Sequence, residues 1–298
     1  MEKSGIKYDI IADGGSTKVD WLFRSADRKE TFRVRTEGVN GIVSPETHIR
    51  NIFSDLKQRI EEISGSPLSF EINSLHYYGA GCISEKVNEN IKKIFREVFP
   101  EVREMEVASD MVGAARALFK EDKGIACILG TGSNSCLYSG KEILGNVPPL
   151  GFILGDEGSG ASIGKTFLRD VFKGVAPDKL ASTFKEEYKL DVPTLLRKVY
   201  KEPSPNAFLA SVLPFLKTHV EEQYVRDIIS GEFEKFIYFN VSRYPDSHDY
   251  PLGFIGSVAV NFKDILTSVV EKFDYEIRTI LSDPLEGMSE YHNDFKLC

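Results

Sequence analysis

The chain has 298 residues, of which 42% are hydrophobic, and a formal net charge of −8 with histidine counted as neutral. This length is enough for two domains that each bury a hydrophobic core. The negative charge, together with the lack of any run of lysines or arginines, argues against a nucleic-acid partner and against an anionic membrane partner.

The first eight residues are polar and lead directly into the first predicted strand. Neither a signal peptide nor a membrane span is expected there, so the predicted location is the cytoplasm. The cysteines form no CxxC pair and have no histidine at zinc spacing, which favours buried free thiols over disulfides, zinc or iron–sulfur ligands. They are Cys82, Cys127, Cys136 and Cys298.

In the first half, hydrophobic periodicity predicts three hairpin strands followed by alternating helices and strands. The predicted strands are residues 8–12, 19–23, 30–35, 72–78 and 102–108, and the predicted helices are about 44–63, 84–99 and 109–119. The third strand alternates apolar and polar residues, as an edge strand does, and Gly65, Ser66 and Pro67 are expected to end the first helix. This order indicates a mixed sheet with helices on its faces.

The pattern then restarts. Strands are predicted at residues 124–129, 135–139 and 141–144, then a loop at 145–155 and a helix at 158–172. Residues 177–245 are predicted to be almost wholly helical, with breaks at Pro193, Pro203–Pro205, Pro214 and Gly231. A strand at 252–256, a helix at 258–273, a strand at 275–281 and a terminal helix at 283–292 complete the chain.

This repetition predicts an internal duplication. The N-terminal domain is expected at residues 1–112 and the C-terminal domain at 113–298, with a helical insertion at about 174–248. The terminal helix is a candidate to pack back on the N-terminal domain.

Two glycine turns share one plan, in which an apolar run, small residues, hydroxyl residues and a second apolar run follow one another. Aligning Gly14 with Gly130 places Thr17 on Ser133 without a gap. Two such hairpins facing one another would hold a phosphate group, because glycine lets backbone amides approach an anion, and Asp13 could hold a magnesium ion there. A plain β-turn is the alternative interpretation.

Two other glycine patterns are rejected. Residues 159–166 end like a P-loop, but the required first glycine falls on Ser159. Gly130 and Gly132 open like a dinucleotide fingerprint, but the third glycine position is Ser135 and a strand, not a helix, is predicted to follow.

Four polar residues are singled out. Asp110 follows a predicted strand, where open α/β sheets bind ligands, and could accept a proton from a substrate hydroxyl that attacks phosphorus; a helix N-cap is the alternative. Asp156, beside Glu157 in a glycine-rich loop, could bind sugar hydroxyls or cap the next helix. Asn40 could contact substrate or be a turn residue. His76 lies in a predicted strand and is interpreted as a satisfied structural histidine.

Five motifs, in this order, resemble those of the N-acetylglucosamine kinase branch of the BadF/BadG/BcrA/BcrD ATPase family, within the superfamily of actin, sugar kinases and heat-shock ATPases. They are residues 13–17, 109–110, 129–134, 155–160 and 253–257. The resemblance covers essentially the whole chain. It implies an α/β fold of two ribonuclease-H-like, actin-like ATPase domains with mixed five-stranded sheets flanked by helices and ATP in the cleft between them. Domain closure would exclude water and so limit wasteful ATP hydrolysis.

The resemblance also implies roles for single residues. Asp110 matches the catalytic base, and Asp13 is the expected metal ligand. The residues expected to contact ATP are Gly14, Gly15, Ser16, Thr17, Gly130, Thr131, Gly132, Ser133, Gly256 and Ser257. The residues expected to contact the sugar are Asn40, Gly81, Thr131, Leu150, Gly151 and Asp156.

The expected activity is therefore phosphorylation of an amino sugar, N-acetylglucosamine or a relative, with ATP and Mg²⁺ as cofactors and Asp110 as general base. Leu150 stands where the related kinases have a tryptophan against the sugar, which leaves the identity of the sugar open. The alternatives are a nucleotide-gated activator of the BadF type, without a small-molecule acceptor, and a sugar sensor that has lost catalysis. The oligomeric state is also open, with a homodimer as one candidate.

Overall fold

Two five-stranded mixed sheets form the framework of the computed structural model, which describes residues 6–27, 29–64 and 70–295. Residue contacts divide the chain into two units. The first consists of the residues up to Lys120 together with those from Pro284 onward, and the second is Glu121–Asp283. The mixed sheets with flanking helices confirm the predicted fold class.

The first unit contains five strands, which are β1 (Ile6–Gly14), β2 (Lys18–Ser25), β3 (Thr31–Glu37), β4 (Phe70–Gly79) and β5 (Glu104–Ser109). Its first three helices are α1 (Glu46–Ser64), α2 (Glu85–Val98) and α3 (Asp110–Phe119). The sheet order is β3-β2-β1-β4-β5, and β1, β4 and β5 run parallel. As predicted, β3 is an edge strand. Gly65, Ser66 and Pro67, predicted to end α1, lie outside the described residues.

The strands of the second unit are β6 (Gly124–Leu129), β7 (Ser133–Tyr138), β8 (Ile143–Gly145), β9 (Leu252–Ile255) and β10 (Ile277–Leu281), in the order β10-β9-β6-β7-β8. Its helices are α4 (Gly151–Leu154), α5 (Gly160–Lys173), α6 (Asp178–Tyr188), α7 (Val192–Tyr200), α8 (Pro205–Ala210), α9 (Leu213–Thr218), α10 (Gln223–Phe239), α11 (Ser257–Asn261) and α12 (Lys263–Lys272). Two 3₁₀ turns, Val241–Arg243 and Ser247–Asp249, precede β9.

The last helix, α13 (Leu285–Phe295), returns to the first unit and packs on α3, β1 and β2. The boundary between the units follows Lys120, eight residues after the predicted boundary at residue 112, because α3 belongs to the first unit. In that helix Met111, Ala114, Ala115 and Leu118 are buried. The predicted boundary at residue 112 therefore divides α3, which as a whole belongs to the first unit.

An aromatic core fills one face of the first sheet. Trp21, Phe53, Tyr77 and Phe95 are fully buried and their rings contact one another. The indole nitrogen of Trp21 donates a hydrogen bond of 3.0 Å to Thr36, so this burial leaves no unpaired indole donor.

Four features of the second unit differ from or refine the prediction. Pro193, Pro205 and Pro214 lie in the first turns of α7, α8 and α9, where a missing backbone N–H costs nothing. Gly231 does not break the helical run, because α10 continues through it. The predicted loop at 145–155 contains the short helix α4, and the predicted helix at 258–273 is divided into α11 and α12 at Phe262.

Packing explains why Gly231 does not break α10 and why the predicted helix at 258–273 is divided at Phe262. In α10 the buried side chains Ile229, Glu232 and Phe233 flank Gly231, and their burial outweighs the weak helix propensity of one glycine. At Phe262 the backbone leaves the helical region while the ring is buried in the core of the second unit. Neither effect can be read from local sequence periodicity.

The described cysteines Cys82, Cys127 and Cys136 are buried, as predicted, and Cys82 and Cys127 are free thiols. Cys298 lies outside the described residues. Among the helices of the described residues, none has the length and hydropathy that a membrane crossing requires.

Candidate functional site

Three parallel strands of the first unit end at one level of the sheet. Gly14 at the end of β1 pairs with Gly79 at the end of β4, and Gly79 pairs with Ser109 at the end of β5. Asp13 and Asp110 therefore lie at the same carboxyl edge, which is where open α/β sheets bind ligands.

The first glycine turn is a closed hairpin turn. The amide of Gly15 donates 2.8 Å to the carbonyl of Lys18, and the next loop closes on the turn because the amide of Val39 donates to the carbonyl of Gly15. Ser16 and Thr17 are exposed at its tip. The turn is thus held from both sides, with its hydroxyl residues facing solvent.

Asn40 is tied to this turn. Its side-chain amide nitrogen donates 3.1 Å to the hydroxyl of Ser16, and its side-chain oxygen accepts from the amides of Ile42 and Val43 at 3.0 and 3.2 Å. Gly81 lies directly beside that oxygen with a φ of +76°, so a side chain there would be strained and would overlap Asn40. The structure therefore brings Asn40, Gly81 and Ser16 together.

Asp110 combines a helix-start position with burial. Ser109, not Asp110, is the N-cap of α3, since its hydroxyl accepts from the amide of Val112 at 3.4 Å. One oxygen of Asp110 accepts from the amide of Met111 at 2.9 Å. Burial raises the pKa of Asp110, and the hydrogen bonds to backbone amides offset only part of that shift. Ser109, and not Asp110, therefore has the N-cap role that was the alternative interpretation of Asp110.

Tyr77 was missed by sequence reasoning. It is fully buried, and among the described residues its hydroxyl has no hydrogen-bond partner. Burial raises the pKa of this hydroxyl well above its ordinary value, and the charges of Cys82, Asp13 and Asp110 raise it further. The sequence did contain a signal for its burial. Residues 75 and 77 lie on the same face of a strand because side chains alternate, and both Leu75 and Tyr77 belong to the core of the first unit.

The second glycine turn, between β6 and β7, is held by α5. The amide of Gly160 donates 2.8 Å to the carbonyl of Gly130, and the amide of Ala161 donates 3.1 Å to the carbonyl of Thr131. These bonds leave Gly132 and Ser133 next to the loop that precedes α5.

Asp156 lies against that turn. One of its carboxylate oxygens accepts from the amide of Ser133 at 3.3 Å, and a Cβ on Gly132 would stand 3.1 Å from the other. Burial raises the pKa of Asp156 most strongly; the Ser133 amide lowers it and Glu157 raises it again. A predicted sugar ligand and a predicted phosphate turn are therefore neighbours within the second unit.

Gly256 ends β9 at the carboxyl edge of the second sheet. Its φ is +123°, and a Cβ there would overlap the carbonyl oxygen of Leu129, just before the second glycine turn. Ser257 follows as the first, exposed residue of α11. This close backbone approach requires glycine and brings the turn after β9 to the turn after β6.

Leu150 and Gly151 lie at the start of α4. Gly151 has a φ of +72°, and the side chain of Leu150 is 60% exposed. A Cβ on Gly155 would stand 3.2 Å from the Cβ of Leu150, so this segment folds back close to the residue before Asp156. Leu150 offers an apolar surface at that point.

Sequence reasoning also missed Glu232, which holds α5, the helix that follows the Asp156 loop. Glu232 in α10 is 2% exposed, and its carboxylate accepts hydrogen bonds from Ser162 at 2.5 Å, Thr166 at 2.9 Å and Lys235 at 2.7 Å. It thereby joins α10 to α5, the helix that holds the second glycine turn.

No protein-family model matches the chain, and a comparison with curated proteins finds no match. Solved structures do match. A Porphyromonas gingivalis protein, whose name gives N-acetylglucosamine kinase as a proposed activity, is 38% identical with a TM-score of 0.89, and the match covers 97% of this chain and 99% of that one. A Chromobacterium violaceum protein named in the same way is 17% identical with a TM-score of 0.72, over 96% and 99% of the two chains.

The same fold extends to more distant proteins. MreB5 of Spiroplasma citri, solved with bound ADP, is 12% identical with a TM-score of 0.53, and the match covers 97% of this chain and 96% of that one. At this identity the likeness concerns the fold alone.

Proposed function

We propose an activity for this chain, which belongs to the N-acetylglucosamine kinase-like branch of the BadF/BadG ATPase family. The proposed reaction is ATP-dependent phosphorylation of a hydroxyl group on an amino sugar, N-acetylglucosamine or a relative. The observation that carries the proposal is Asp110, a partly buried carboxylate with a raised pKa at the sheet edge that also bears the first glycine turn.

In this proposal Asp110 is the general base. Its carboxylate accepts the proton of the sugar hydroxyl while the sugar oxygen bonds to the γ-phosphorus of ATP, and the bond from that phosphorus to the ADP oxygen breaks. A raised pKa makes a carboxylate a stronger base, because its affinity for a proton rises.

Asp13 is the proposed magnesium ligand. Magnesium binds proteins through one or two carboxylates and keeps water and phosphate oxygens as its other ligands. Asp13 and Asp110 lie at the same carboxyl edge of the first sheet, because Gly14 pairs with Gly79 and Gly79 pairs with Ser109. The proposed metal ligand is therefore at the sheet edge that carries the proposed base. When bound, the ion would neutralise charge on the phosphate oxygens.

The proposed ATP contacts are the two glycine turns with Gly256 and Ser257. In each unit a glycine turn follows a buried strand. A Cβ would overlap Tyr77 at Gly14 in the first unit and the carbonyl oxygen of Leu129 at Gly256 in the second. The proposed sugar contacts are Asn40, Gly81, Thr131, Leu150, Gly151 and Asp156. Within each unit a hydrogen bond joins a proposed sugar contact to a proposed ATP contact, Asn40 to Ser16 in the first unit and the Ser133 amide to Asp156 in the second.

The test is a kinase assay over a panel of N-acetylglucosamine, glucosamine, N-acetylmannosamine and muramic-acid derivatives, with ADP and sugar phosphate both measured. One of these sugars is expected to accept phosphate stoichiometrically with ADP release. ATP turnover that is indifferent to every sugar would favour the nucleotide-gated ATPase instead, and binding of a sugar without turnover would favour the sensor.

Asp110→Asn provides the mechanistic test. We expect kcat to fall by about a hundredfold or more, the usual effect of losing a general base, while ATP binding changes little. Asp55→Asn is the matched control, because Asp55 is an exposed carboxylate paired with Arg59 in α1. An unchanged kcat in Asp110→Asn would remove Asp110 from the role of base.

A further inference from the structure

Two histidines and a glutamate converge on the sheet of the first unit, among residues to which the proposed kinase activity gives no role. His76 on β4 stands directly opposite Glu106 on β5, and His292 reaches them from α13. One side-chain nitrogen or oxygen from each residue lies within 4.8 Å of the other two.

The separations match those of ligands on one metal ion. Nδ1 of His76 lies 3.2 Å from Oε2 of Glu106, and Nε2 of His292 lies 4.0 Å from the same oxygen. Two ligands of a tetrahedral zinc ion, with bonds of about 2.0–2.1 Å, are about 3.3–3.4 Å apart. The first pair is close to this spacing, and the second must close by about 0.6–0.7 Å.

The residue types also suit a metal ion. The rings of His76 and His292 stack with centroids 3.5 Å apart and planes inclined by 25°. Neutral imidazole is the form of histidine that binds metals. Burial raises the pKa of Glu106, but the bond from His76 and the charge of Arg116 lower it overall to about 2, so Glu106 is a carboxylate at neutral pH.

Arg116 orients the glutamate. Its guanidinium donates 2.7 Å to Oε1 of Glu106 and 2.6 Å to the hydroxyl of Tyr78. Oε2 of Glu106 faces His76, and the Tyr78 hydroxyl lies 3.2 Å from the same oxygen. Metal-binding carboxylates are commonly held in this way by a hydrogen bond to their second oxygen. The expectation that His76 is a satisfied structural histidine is wrong for one atom, because its buried Nε2 has no partner among the described residues.

We propose that His76, Glu106 and His292 form a binding site for a divalent transition-metal ion, tested here as Zn²⁺. Two nitrogen ligands and one carboxylate, with water completing the set, are typical of such ions rather than of magnesium or calcium. Binding requires the two nearly parallel rings to tilt. It replaces the 2.7 Å hydrogen bond between His292 and the Tyr78 hydroxyl, and also the 3.2 Å hydrogen bonds that join Oε2 of Glu106 to Nδ1 of His76 and to the Tyr78 hydroxyl.

The ion would fasten the end of the chain to the first unit. The chain leaves this unit after Lys120 and returns at Pro284, so α13 is joined to its sheet only by packing and side-chain contacts. An ion that binds only the folded arrangement shifts the equilibrium toward it. This inference does not depend on the kinase activity.

The experiment uses the full chain without an affinity tag, stripped with a chelator and dialysed. Zn²⁺ is titrated by calorimetry, and the thermal midpoint is compared with and without the ion. We expect one Zn²⁺ per chain at micromolar or tighter affinity and a rise in the midpoint. His76→Gln and His292→Gln should each weaken binding by about tenfold or more, whereas His248→Gln, which changes an exposed histidine of the second unit, should not.

Co²⁺ gives a readout that needs no variant. The wild-type chain should develop the intense visible absorption of four-coordinate cobalt, and one equivalent of Zn²⁺ should abolish it. A weak, water-like cobalt spectrum would overturn the proposal even if a glutamine variant failed to fold. Zn²⁺ binding that both glutamine variants retain at wild-type affinity would overturn it as well.

Discussion

The hydroxyl of Tyr77 lies against the backbone of Gly14. A Cβ built on Gly14 would stand 2.6 Å from Oη of Tyr77 and 2.9 Å from its Cζ, and Tyr77 is fully buried. The packing of Tyr77 against the first glycine turn therefore requires glycine at position 14, whether or not a ligand also binds at the turn.

Gly14→Ala should lower the free energy of unfolding by about 1–3 kcal/mol, the usual cost of overpacking a well-filled core. Adding Tyr77→Phe should recover part of this loss, because the closest clashing atom is removed. Urea unfolding of the two single variants and the double variant measures the coupling. Gly15→Ala is the control, since the nearest atom to its Cβ would be the carbonyl oxygen of Lys18 at 3.3 Å. Equal losses at Gly14 and Gly15 would contradict this account.

The stability of Asp110→Asn should depend on pH. Burial raises the pKa of Asp110 above its ordinary value near 4. The group therefore stabilises the fold below that ordinary pKa, and its contribution is lost as pH rises through the raised value. The asparagine variant should therefore gain stability relative to the wild type as pH rises from ~4 to neutral.

Urea unfolding at several pH values measures this difference. Asp191→Asn is a control of opposite sign, because hydrogen bonds from Thr194 lower the pKa of Asp191. It should lose stability at neutral pH, and that loss should shrink in acid. A difference between wild type and Asp110→Asn that is independent of pH would show that burial does not shift the Asp110 proton equilibrium.

Glu232→Gln should weaken the attachment of α5 to α10. Burial raises the pKa of Glu232, but hydrogen bonds from Lys235 and Ser162 lower it overall, so the ionised group stabilises the fold above its ordinary pKa near 4.3. That contribution is lost as pH falls through the lowered value. At neutral pH we expect a cost of about 1–3 kcal/mol in urea unfolding.

Glu234→Gln is the matched control in the same helix, because Glu234 forms an exposed pair with Lys272. Its effect should stay below about 0.5 kcal/mol. A Glu232→Gln variant as stable as this control would show that the buried bonds contribute nothing net.

Gly231→Ala should stabilise the chain by about 0.5–1 kcal/mol. Gly231 lies inside α10 with ordinary helical backbone, and a Cβ there would meet no atom within 4 Å. The gain should appear in the midpoint of thermal or urea unfolding. Gly158→Ala serves as a contrast, since its φ of +72° and a Cβ contact of 2.9 Å with Phe236 predict destabilisation. A loss of stability in Gly231→Ala would mean that the glycine has a role that packing does not reveal.

Most of the fold could be predicted because its strands are short, buried runs between glycine-rich turns. The prediction was wrong where local pattern and packing disagree. Gly231 was predicted to break the helix, yet α10 continues past it because residues on both sides of it are buried. The split at Phe262 and the helix α4 also escaped prediction, because each depends on how the segment packs.

The residues proposed for catalysis and binding could be selected from sequence because glycine turns and strand-end carboxylates are local signals. Their partners could not. Ser16 is 24 residues from Asn40, and Asp156 is 23 residues from Ser133, yet each pair is hydrogen bonded. Only the folded chain shows which polar groups meet.

The amino-acid sequence is enough to locate the two glycine hairpins, to place Asp110 after a strand and to identify the family, because these depend on residue order over short distances. Tertiary structure alone decided the burial that raises the pKa of Asp110, the contact of Tyr77 with Gly14, and the meeting of His76 and Glu106 with His292. The physical reason is that burial and electrostatics depend on distances through space, and the last of these contacts joins residues that are 216 positions apart in the chain.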